Sequence, residues 1–169
     1  MTFLGLKLWY RAIALLCLCC CLGLASQEKA IAAVHTYPES PTQIMYRSQQ
    51  SLRDDQDQAW QAVLFKRIKQ GEIDSLHLRL VGFPGQAALV HPQSLQLTTS
   101  GGEVLTAPDV SEQAPSLANV GEYDFLAVVP RLQQNPPLRL SLPLKDGRVM
   151  NLLVPPFVVR EWHRVFEAR

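Results

Sequence analysis

The stretch Leu138–Val154, LRLSLPLKDGRVMNLLV, decides the fold of this chain because it predicts a β-hairpin from its residues alone. Its first half carries a leucine at every second position, and this period of two places the leucines on one face of an extended strand. Pro143 lies in the same strand and cannot donate a hydrogen bond. We therefore expect this strand to lie at a sheet edge, or its ladder to be interrupted at Pro143.

The loop of this hairpin can have two or three residues. A two-residue loop, Asp146-Gly147, would set the polar Asn151 opposite Leu142, whereas a three-residue loop sets Met150 there. The longer loop keeps one face apolar throughout and gives its glycine the positive φ of a type I turn with a bulge. We predict the longer loop, with the pairs Leu142 and Met150, Leu140 and Leu152, and Leu138 and Val154.

Alternating apolar residues separated by turn residues continue on the N-terminal side of this hairpin. A type II turn is predicted at residues 83–86, FPGQ, and a hairpin loop at residues 100–102, SGG. Short reversals of this kind favour a mainly antiparallel β-sandwich or barrel. We predict about eight strands, at residues 43–52, 59–68, 75–83, 87–91, 94–99, 103–107, 138–144 and 148–154.

The second of these strands has apolar residues on both faces. Trp60, Ala62 and Leu64 share one face, and Val63 and Phe65 share the other. Such a strand lies in the middle of a sheet, or has its second side covered by a helix.

The region before the Leu138–Val154 hairpin shows no clear period. Residues 107–121 contain two prolines and a glycine and predict a loop. We would look for a binding loop there and in the adjacent residues 122–134. Residues 123–134 fit a short helix capped by Asp124, but Pro130 would remove a helical hydrogen bond. The alternative is a strand at residues 125–129. We favour the short helix.

A C-terminal helix is predicted after Pro155 and Pro156, since proline is well tolerated in a first helical turn. At about 100° per residue its apolar side chains fall on one stripe. We expect the stripe to close the open face or end of the sheet, and an amphipathic membrane contact is the alternative. The stripe is Val158, Val159, Trp162, Val165 and Phe166, with Arg160, Arg164 and Glu167 facing away.

The N-terminus has the composition of an export signal. Lys7 and Arg11 give a basic start, and Ala12–Leu24 is an uncharged apolar run. This run is shorter than the roughly 20 residues that cross a bilayer core. Counted from Leu8 it approaches spanning length, so an uncleaved anchor is the alternative. We predict an exported soluble protein.

Signal peptidase requires small side chains at the cleavage site, which allows cleavage after Ala25 or after Ala32. We favour Ala32. The predicted organisation is then a signal peptide at residues 1–32, an extended lead-in at 33–42 and a single β-rich domain at 43–169.

All four cysteines lie inside the predicted signal peptide, so the remaining chain has no disulfide, thiol nucleophile or cysteine-ligated metal. Lipidation of one of them is disfavoured, because none follows Gly, Ala or Ser. Without residues 1–32 the net charge is about −1, so the domain lacks the positive field of a nucleic-acid binder. The cysteines are Cys17, Cys19, Cys20 and Cys21.

No known catalytic or metal motif is present in the sequence. The four histidines, His35, His77, His91 and His163, form no HxH, HxxxH or HExxH pattern, and no GxSxG elbow, phosphate loop or GxGxxG occurs. We predict no enzymatic activity, no catalytic residues, no metal site and no cofactor. No motif in the sequence identifies a cofactor-binding residue.

Two polar clusters have ordinary structural interpretations. The segment 54–57, DDQD, predicts a tight turn rather than a calcium loop, which would need six or more oxygen ligands and a glycine. Lys66 and Arg67 point to opposite faces of a strand. Together with Lys69 they predict a solubilising strand end rather than a phosphate site.

Several blocks of the chain resemble a known family. They are MYRSQQSLRD, WQAVLFKR, LRLVGFPG, HPQSL, NVGEYDF, LRLSLPL and VPPFVVREW, which together span residues 45–162. They are similar to a small exported family known mainly from cyanobacteria and catalogued as a domain of unknown function. The resemblance implies export to the periplasm or the thylakoid lumen, and it carries over no catalytic or binding residues.

Two functions remain open. The first is a non-enzymatic accessory or interaction protein at the lumenal or periplasmic face of the photosynthetic membrane, with a membrane protein complex as partner. The second is a β-barrel or sandwich that binds a small apolar ligand, a lipid or a pigment, between its sheets. A large pocket lined by the leucine face would favour the second, and a filled core with an exposed aromatic patch would favour the first.

Overall fold

The computed structural model describes residues 35–40, 42–111, 117–134 and 136–169. These residues form nine strands and one α-helix. The strands are β1 (His35–Ser40), β2 (Gln43–Arg53), β3 (Ala59–Lys69), β4 (Glu72–Val81), β5 (Leu95–Thr99), β6 (Val104–Ala107), β7 (Val120–Asp124), β8 (Leu138–Pro143) and β9 (Val149–Val154), and the helix is α1 (Pro156–Glu167).

The strands form two antiparallel sheets, which confirms the predicted mainly β, antiparallel fold class. One sheet has the order β1-β2-β3-β4-β7, and the other has the order β6-β5-β8-β9. Over the described residues the two sheets do not close into a barrel, so the sandwich is the form that holds. The predicted signal peptide lies outside the described residues. In the described part of the chain, no helix is long and apolar enough to span a bilayer.

The register of the β8–β9 hairpin is the predicted one. Leu142 pairs with Met150, and Leu140 pairs with Leu152. The loop has three residues, and Gly147 has a φ of +86°, a conformation that only glycine adopts without steric cost. Every leucine of β8 is buried as a result.

The edge-strand prediction for β8 is wrong, because β8 lies between β5 and β9. The alternative, a ladder interrupted near Pro143, holds. The β5–β8 ladder ends at the pair of Gln96 and Ser141, two residues before Pro143. The missing N–H of Pro143 therefore removes no hydrogen bond from that ladder.

The centre of the sandwich is a continuous apolar core between the two sheets. Leu64 and Leu78 contribute to it from the five-stranded sheet, and Leu140 and Leu152 from the other, all four with 0 % of their surface exposed. β3 is the central strand of its sheet, as predicted. Its Trp60 is among the largest fully buried side chains.

Helix α1 closes this core. It begins at Pro156 as predicted, and its apolar stripe is buried except for Phe166, which is partly buried. Trp162 is fully buried and meets the ring of Phe125 edge-on at 5.7 Å between ring centroids. These contacts confirm the packing interpretation of the helix. Glu161 is also buried, and it accepts hydrogen bonds from Ser48 Oγ (2.9 Å) and Gln50 Nε2 (2.8 Å).

Two predictions for the middle of the chain are wrong. Residues 87–91 do not form a strand, and Leu89 makes only an isolated bridge to Leu144, while its N–H donates to the carbonyl oxygen of Ala118. The loop predicted at residues 107–121, in contrast, ends in a strand, because residues 120 and 121 are the start of β7. Strand β7 was not predicted because glycine, here Gly121, is a poor strand former. The fold requires glycine at this position, since a Cβ there would lie 2.4 Å from the Tyr123 hydroxyl oxygen.

The short helix favoured for residues 123–134 is wrong as well. Tyr123 and Asp124 belong to β7, and the only helical turn in this described segment is a 3₁₀ turn at Val129–Arg131. Pro130 lies at the start of that turn, where proline is tolerated, but its missing N–H is incompatible with a helix that begins at Asp124. The lead-in also differs in detail, because residues 35–40 form an exposed edge strand paired with β2.

Candidate binding groove

The inner face of the five-stranded sheet is longer than the layers that cover it. Strands β2 and β3 have 11 residues each, whereas β8 and β9 have six each. At the uncovered end Ile44 is 40 % exposed and Ile73 is 44 % exposed, while Leu78 on the same face is fully buried. The sheet therefore presents apolar side chains to solvent where helix α1 ends.

This uncovered end forms a groove of about 1000 Å³ between the sheet and the C-terminal end of α1. We call it the end groove. It is lined by Thr42, Ile44, Lys66, Ile68, Gln70, Gly71, Ile73, Phe166, Glu167, Ala168 and Arg169.

Local turn and bulge chemistry forms the sheet side of the end groove. Gln70 and Gly71 have φ values of +54° and +86° and make the tight β3–β4 turn. Next to it the register shifts, so that Arg67 pairs with Ser75 but Ile68 pairs with Ile73. The extra residue turns Ile73 onto the inner face beside Ile68.

Lys66 lies at the floor of the end groove and is only 2 % exposed. Its Nζ donates hydrogen bonds to the carbonyl oxygens of Phe166 and Ala168, each at 2.6 Å. These carbonyls belong to the last turn of α1 and the residue after it, where a cation is electrostatically favoured. Burial, with a smaller contribution from Arg169, lowers the pKa of Lys66 below its ordinary value.

The prediction of a solubilising strand end is therefore wrong for Lys66, although the two predicted faces are right. Arg67 lies on the outer face, where its guanidinium carbon is 4.9 Å from the centre of the Phe65 ring. It also pairs with Glu39 at 3.4 Å. Lys69 is exposed at the strand end, as predicted.

A polar network covers the outer face of the same sheet. Glu122 accepts a hydrogen bond at 2.7 Å from Arg79 Nη2 and lies 2.8 Å from His77 Nδ1. Burial alone would raise the pKa of Glu122, but the hydrogen bonds to His77 and Arg79 outweigh it and lower the pKa. This network joins β4 to β7 over the buried ring of Phe65, and it engages both carboxylate oxygens of Glu122.

The other histidines contact the loops. His91 Nδ1 lies 2.7 Å from Asp109 Oδ2, and its Nε2 lies 3.2 Å from the Val120 carbonyl oxygen. His163 Nε2 lies 2.9 Å from the Leu132 carbonyl oxygen. The fourth, His35, lies on exposed strand β1. Each of the three contacts joins two segments of the fold, so these rings act as structural links.

The acidic turn is confirmed as a turn. Asp54 accepts hydrogen bonds from the backbone N–H groups of Gln56 and Gln58 and from the indole N–H of Trp60. Its carboxylate oxygens are thus engaged by protein donors. Among the described residues, no group of three or more His, Cys, Asp and Glu side chains could hold a metal ion. The predicted binding loop, residues 107–121, is described only in part.

The comparisons with known proteins identify a family. The model of a family described as protein of unknown function, DUF3122, matches residues 32–165. The chain belongs to the DUF3122 family. No curated protein and no solved structure matches the chain. The sheet side of the end groove, including Ile44, Lys66 and Ile73, lies within the DUF3122 match, whereas Glu167 and Arg169 follow it.

Sequence reasoning missed the end groove, although one signal for it was present. The strands predicted at residues 43–52 and 59–68 are three residues longer than those predicted at 138–144 and 148–154, and in the structure the difference is five residues. A sheet with longer strands than its partner must leave part of its inner face to be covered by something else.

Proposed function

We propose that this DUF3122 protein is a non-enzymatic accessory protein that acts outside the cytoplasm and holds an apolar group in the end groove. One observation carries the proposal, namely a groove of about 1000 Å³ whose walls include the partly exposed Ile44 and Ile73. Ligand sites are typically concave and mostly apolar with few polar groups, and this groove has that composition.

The same geometry argues against a ligand held between the sheets. The leucines that face the sandwich interior, from Leu64 to Leu152, contact one another and are almost fully buried. A protein interior packed in this way cannot accommodate a ligand unless its side chains repack. An apolar group therefore has access to the protein at the end of the sandwich rather than in its centre.

The non-enzymatic character is supported by the state of the polar side chains. Both ring nitrogens of His91 are engaged, one by Asp109 and the other by the Val120 carbonyl oxygen, and His77 Nδ1 is engaged by Glu122. Proton transfer to a substrate needs a nitrogen within reach of that substrate. His91 therefore has no ring nitrogen left for a substrate, since both nitrogens hold its loop to neighbouring segments.

The site of action is proposed from the N-terminal residues and the family. Lys7, Arg11 and the apolar run after them are typical of an export signal. We propose cleavage after Ala32 and residence in the periplasm or the thylakoid lumen, beside a photosynthetic membrane. N-terminal sequencing of the protein from its own cells should begin at residue 33. An intact Met1, or a lipid on a cysteine, would contradict this part of the proposal.

Affinity isolation from the cell's own membranes tests the binding function. The tagged full chain is compared with the variant Ile44→Ser/Ile73→Ser, and proteins and lipids in the eluates are identified by mass spectrometry. Val104→Ser/Leu153→Ser is the matched control, because it removes two exposed apolar residues that lie elsewhere. A partner or lipid recovered by the wild type and the control but lost from the groove variant supports the proposal. Identical eluates from all three would refute it.

A second candidate, binding of a small apolar ligand, is favoured by the same groove volume. Lipids or pigments in the eluate, without a stoichiometric protein partner, would select it. A stoichiometric membrane protein would select the accessory role instead.

A further inference from the structure

The end groove contains a buried full positive charge. The Lys66 ammonium has three N–H donors, of which two engage the carbonyl oxygens of Phe166 and Ala168. Carbonyl oxygens carry only partial negative charge, and within the described ranges Lys66 forms no ion pair. A buried cation without a counter-charge is costly. An anionic group at the floor of the groove would supply both the third acceptor and the counter-charge.

Two further charged residues line the groove, and they have opposite signs. Glu167 and Arg169 both lie at its rim and are exposed to solvent. Arg169 is close enough to Lys66 to lower its pKa. The three charged side chains that line the groove sum to one positive charge, and Lys66 is the buried one.

The walls favour an alkyl chain over a peptide. Ile44 lies on β2, which pairs with β1 and β3, and Ile68 lies on β3, which pairs with β2 and β4. The backbone groups of this floor are thus already engaged in ladders, and an added peptide strand would find no row of partners there. A peptide backbone laid on this surface would lose its hydrogen bonds to water. An alkyl chain has no such groups to satisfy.

We propose that the end groove binds a single-chain amphiphile with an anionic head group, the head against Lys66 Nζ and the chain across Ile44, Ile73 and Phe166. This inference rests on the proposed function, because it names the class of apolar group that the groove holds.

The test compares three amphiphiles of equal chain length, each below its aggregation concentration. They are dodecanoate, dodecan-1-ol and dodecyltrimethylammonium, titrated into the purified full chain and followed by calorimetry. Dodecanoate should bind roughly tenfold or more tightly than the alcohol, as expected for a hydrogen bond to a charged group, and the cation should bind most weakly. Binding by the N-terminal residues is common to all variants, so it cancels between variants but not between amphiphiles.

Variants separate the head-group site from the walls. Lys66→Met should remove the preference for the acid over the alcohol, and Lys66→Arg should retain it. Lys69→Met is the matched control, since it removes the same charge from the exposed end of the same strand. Ile44→Ser/Ile73→Ser should weaken the acid and the alcohol together. If Lys66→Met does not fold in a melting experiment, the amphiphile series on the wild type and on Ile44→Ser/Ile73→Ser decides. A preference for the acid that survives unchanged in the groove variant would overturn the inference.

The outcomes also separate this inference from the proposed function. Equal affinity for acid and alcohol would overturn the anionic head group while leaving the groove as an apolar site. Binding to anionic vesicles without binding to monomeric dodecanoate would overturn the single-chain occupant. If no amphiphile binds but the membrane eluates still depend on Ile44 and Ile73, the inference fails and the proposed function stands. If the eluates do not depend on them either, both fail.

Discussion

The centre and the end of the five-stranded sheet differ in what covers them, although the same strands run through both. At the centre, Leu64 and Leu78 pack against the other sheet and have 0 % exposure. At the end, Ile44 and Ile73 extend the same inner face past helix α1 and are 40 % and 44 % exposed. The two regions have the same secondary structure and similar side chains. The comparison teaches that strand length, relative to the covering layer, separates residues that stabilise the fold from residues available for binding.

The largest expected effect is the loss of a central side chain. Trp162→Ala should lower the free energy of unfolding by about 3–5 kcal/mol, because it leaves a cavity where a fully buried indole contacts Phe125. Thermal or denaturant unfolding measures this. Phe157→Ala on the same helix is the control, since Phe157 is 46 % exposed and should cost far less. An unchanged midpoint for Trp162→Ala would mean that the helix does not close the core.

A single added methyl group tests how tightly the centre is packed. A Cβ on Gly121 would lie 2.4 Å from the Tyr123 hydroxyl oxygen and 2.9 Å from Leu89 Cδ1. Gly121→Ala should therefore cost about 1–3 kcal/mol of stability through overpacking. Gly101→Ala is the matched control, because its nearest atom lies at 3.8 Å. Equal melting points for the two variants would show that β7 has room to move.

Glu122, on the outer face of the five-stranded sheet, should make the stability of the protein depend on pH. The pKa of Glu122 has its ordinary value of 4.5 in the unfolded chain and is lowered in the folded protein. Its stabilising contribution is then complete above pH 4.5 and is lost as the pH falls through the lowered value. Glu122→Gln should cost about 1 kcal/mol at neutral pH.

Chemical denaturation of the wild type and Glu122→Gln at several pH values measures this dependence. The difference between them should shrink as the pH falls below 4.5. A difference that stays constant across this range would show that the contacts of Glu122 with His77 and Arg79 do not stabilise its charged form.

The smallest expected effect lies at the end groove. Ile73→Ser should change the free energy of unfolding by less than about 0.5 kcal/mol, as is usual for exposed positions. Leu78→Ala, on the same face of the same strand, should cost about 2–5 kcal/mol. Denaturant unfolding of the two variants sharpens the comparison directly. A large loss for Ile73→Ser would place the end groove in the core of the fold rather than at its surface.

The parts of the fold that could be predicted are those with strict local patterns. The alternating leucines of β8 and the glycine of its loop determined both the inner face and the register. Strand β7 could not be predicted, because glycine disfavours strands. The reason for a glycine at position 121, the closeness of the Tyr123 side chain, exists only in the folded structure. The same limit applies to the helix favoured near Asp124, where pairing of β7 with β4 outweighs a local helical pattern.

The candidate site was harder to predict than the fold. Lys66 looked like a surface lysine in the sequence, and its burial depends on carbonyl oxygens 100 and 102 residues away. Ile73 lies on the groove side only because a bulge shifts the register between β3 and β4. Long-range contacts and bulges of this kind leave no periodic signal in the sequence.

The central claim is that the end of the sandwich, and not its centre, binds an apolar group. The most direct measurement is a nuclear magnetic resonance titration of the isotopically labelled protein with dodecanoate, following backbone and methyl signals. We expect shifts that saturate at Ile44, Lys66, Ile73 and Phe166, with no change at Leu64, Leu78 or Leu140. Shifts centred on those three leucines, or no saturable shift at the end groove, would contradict the claim.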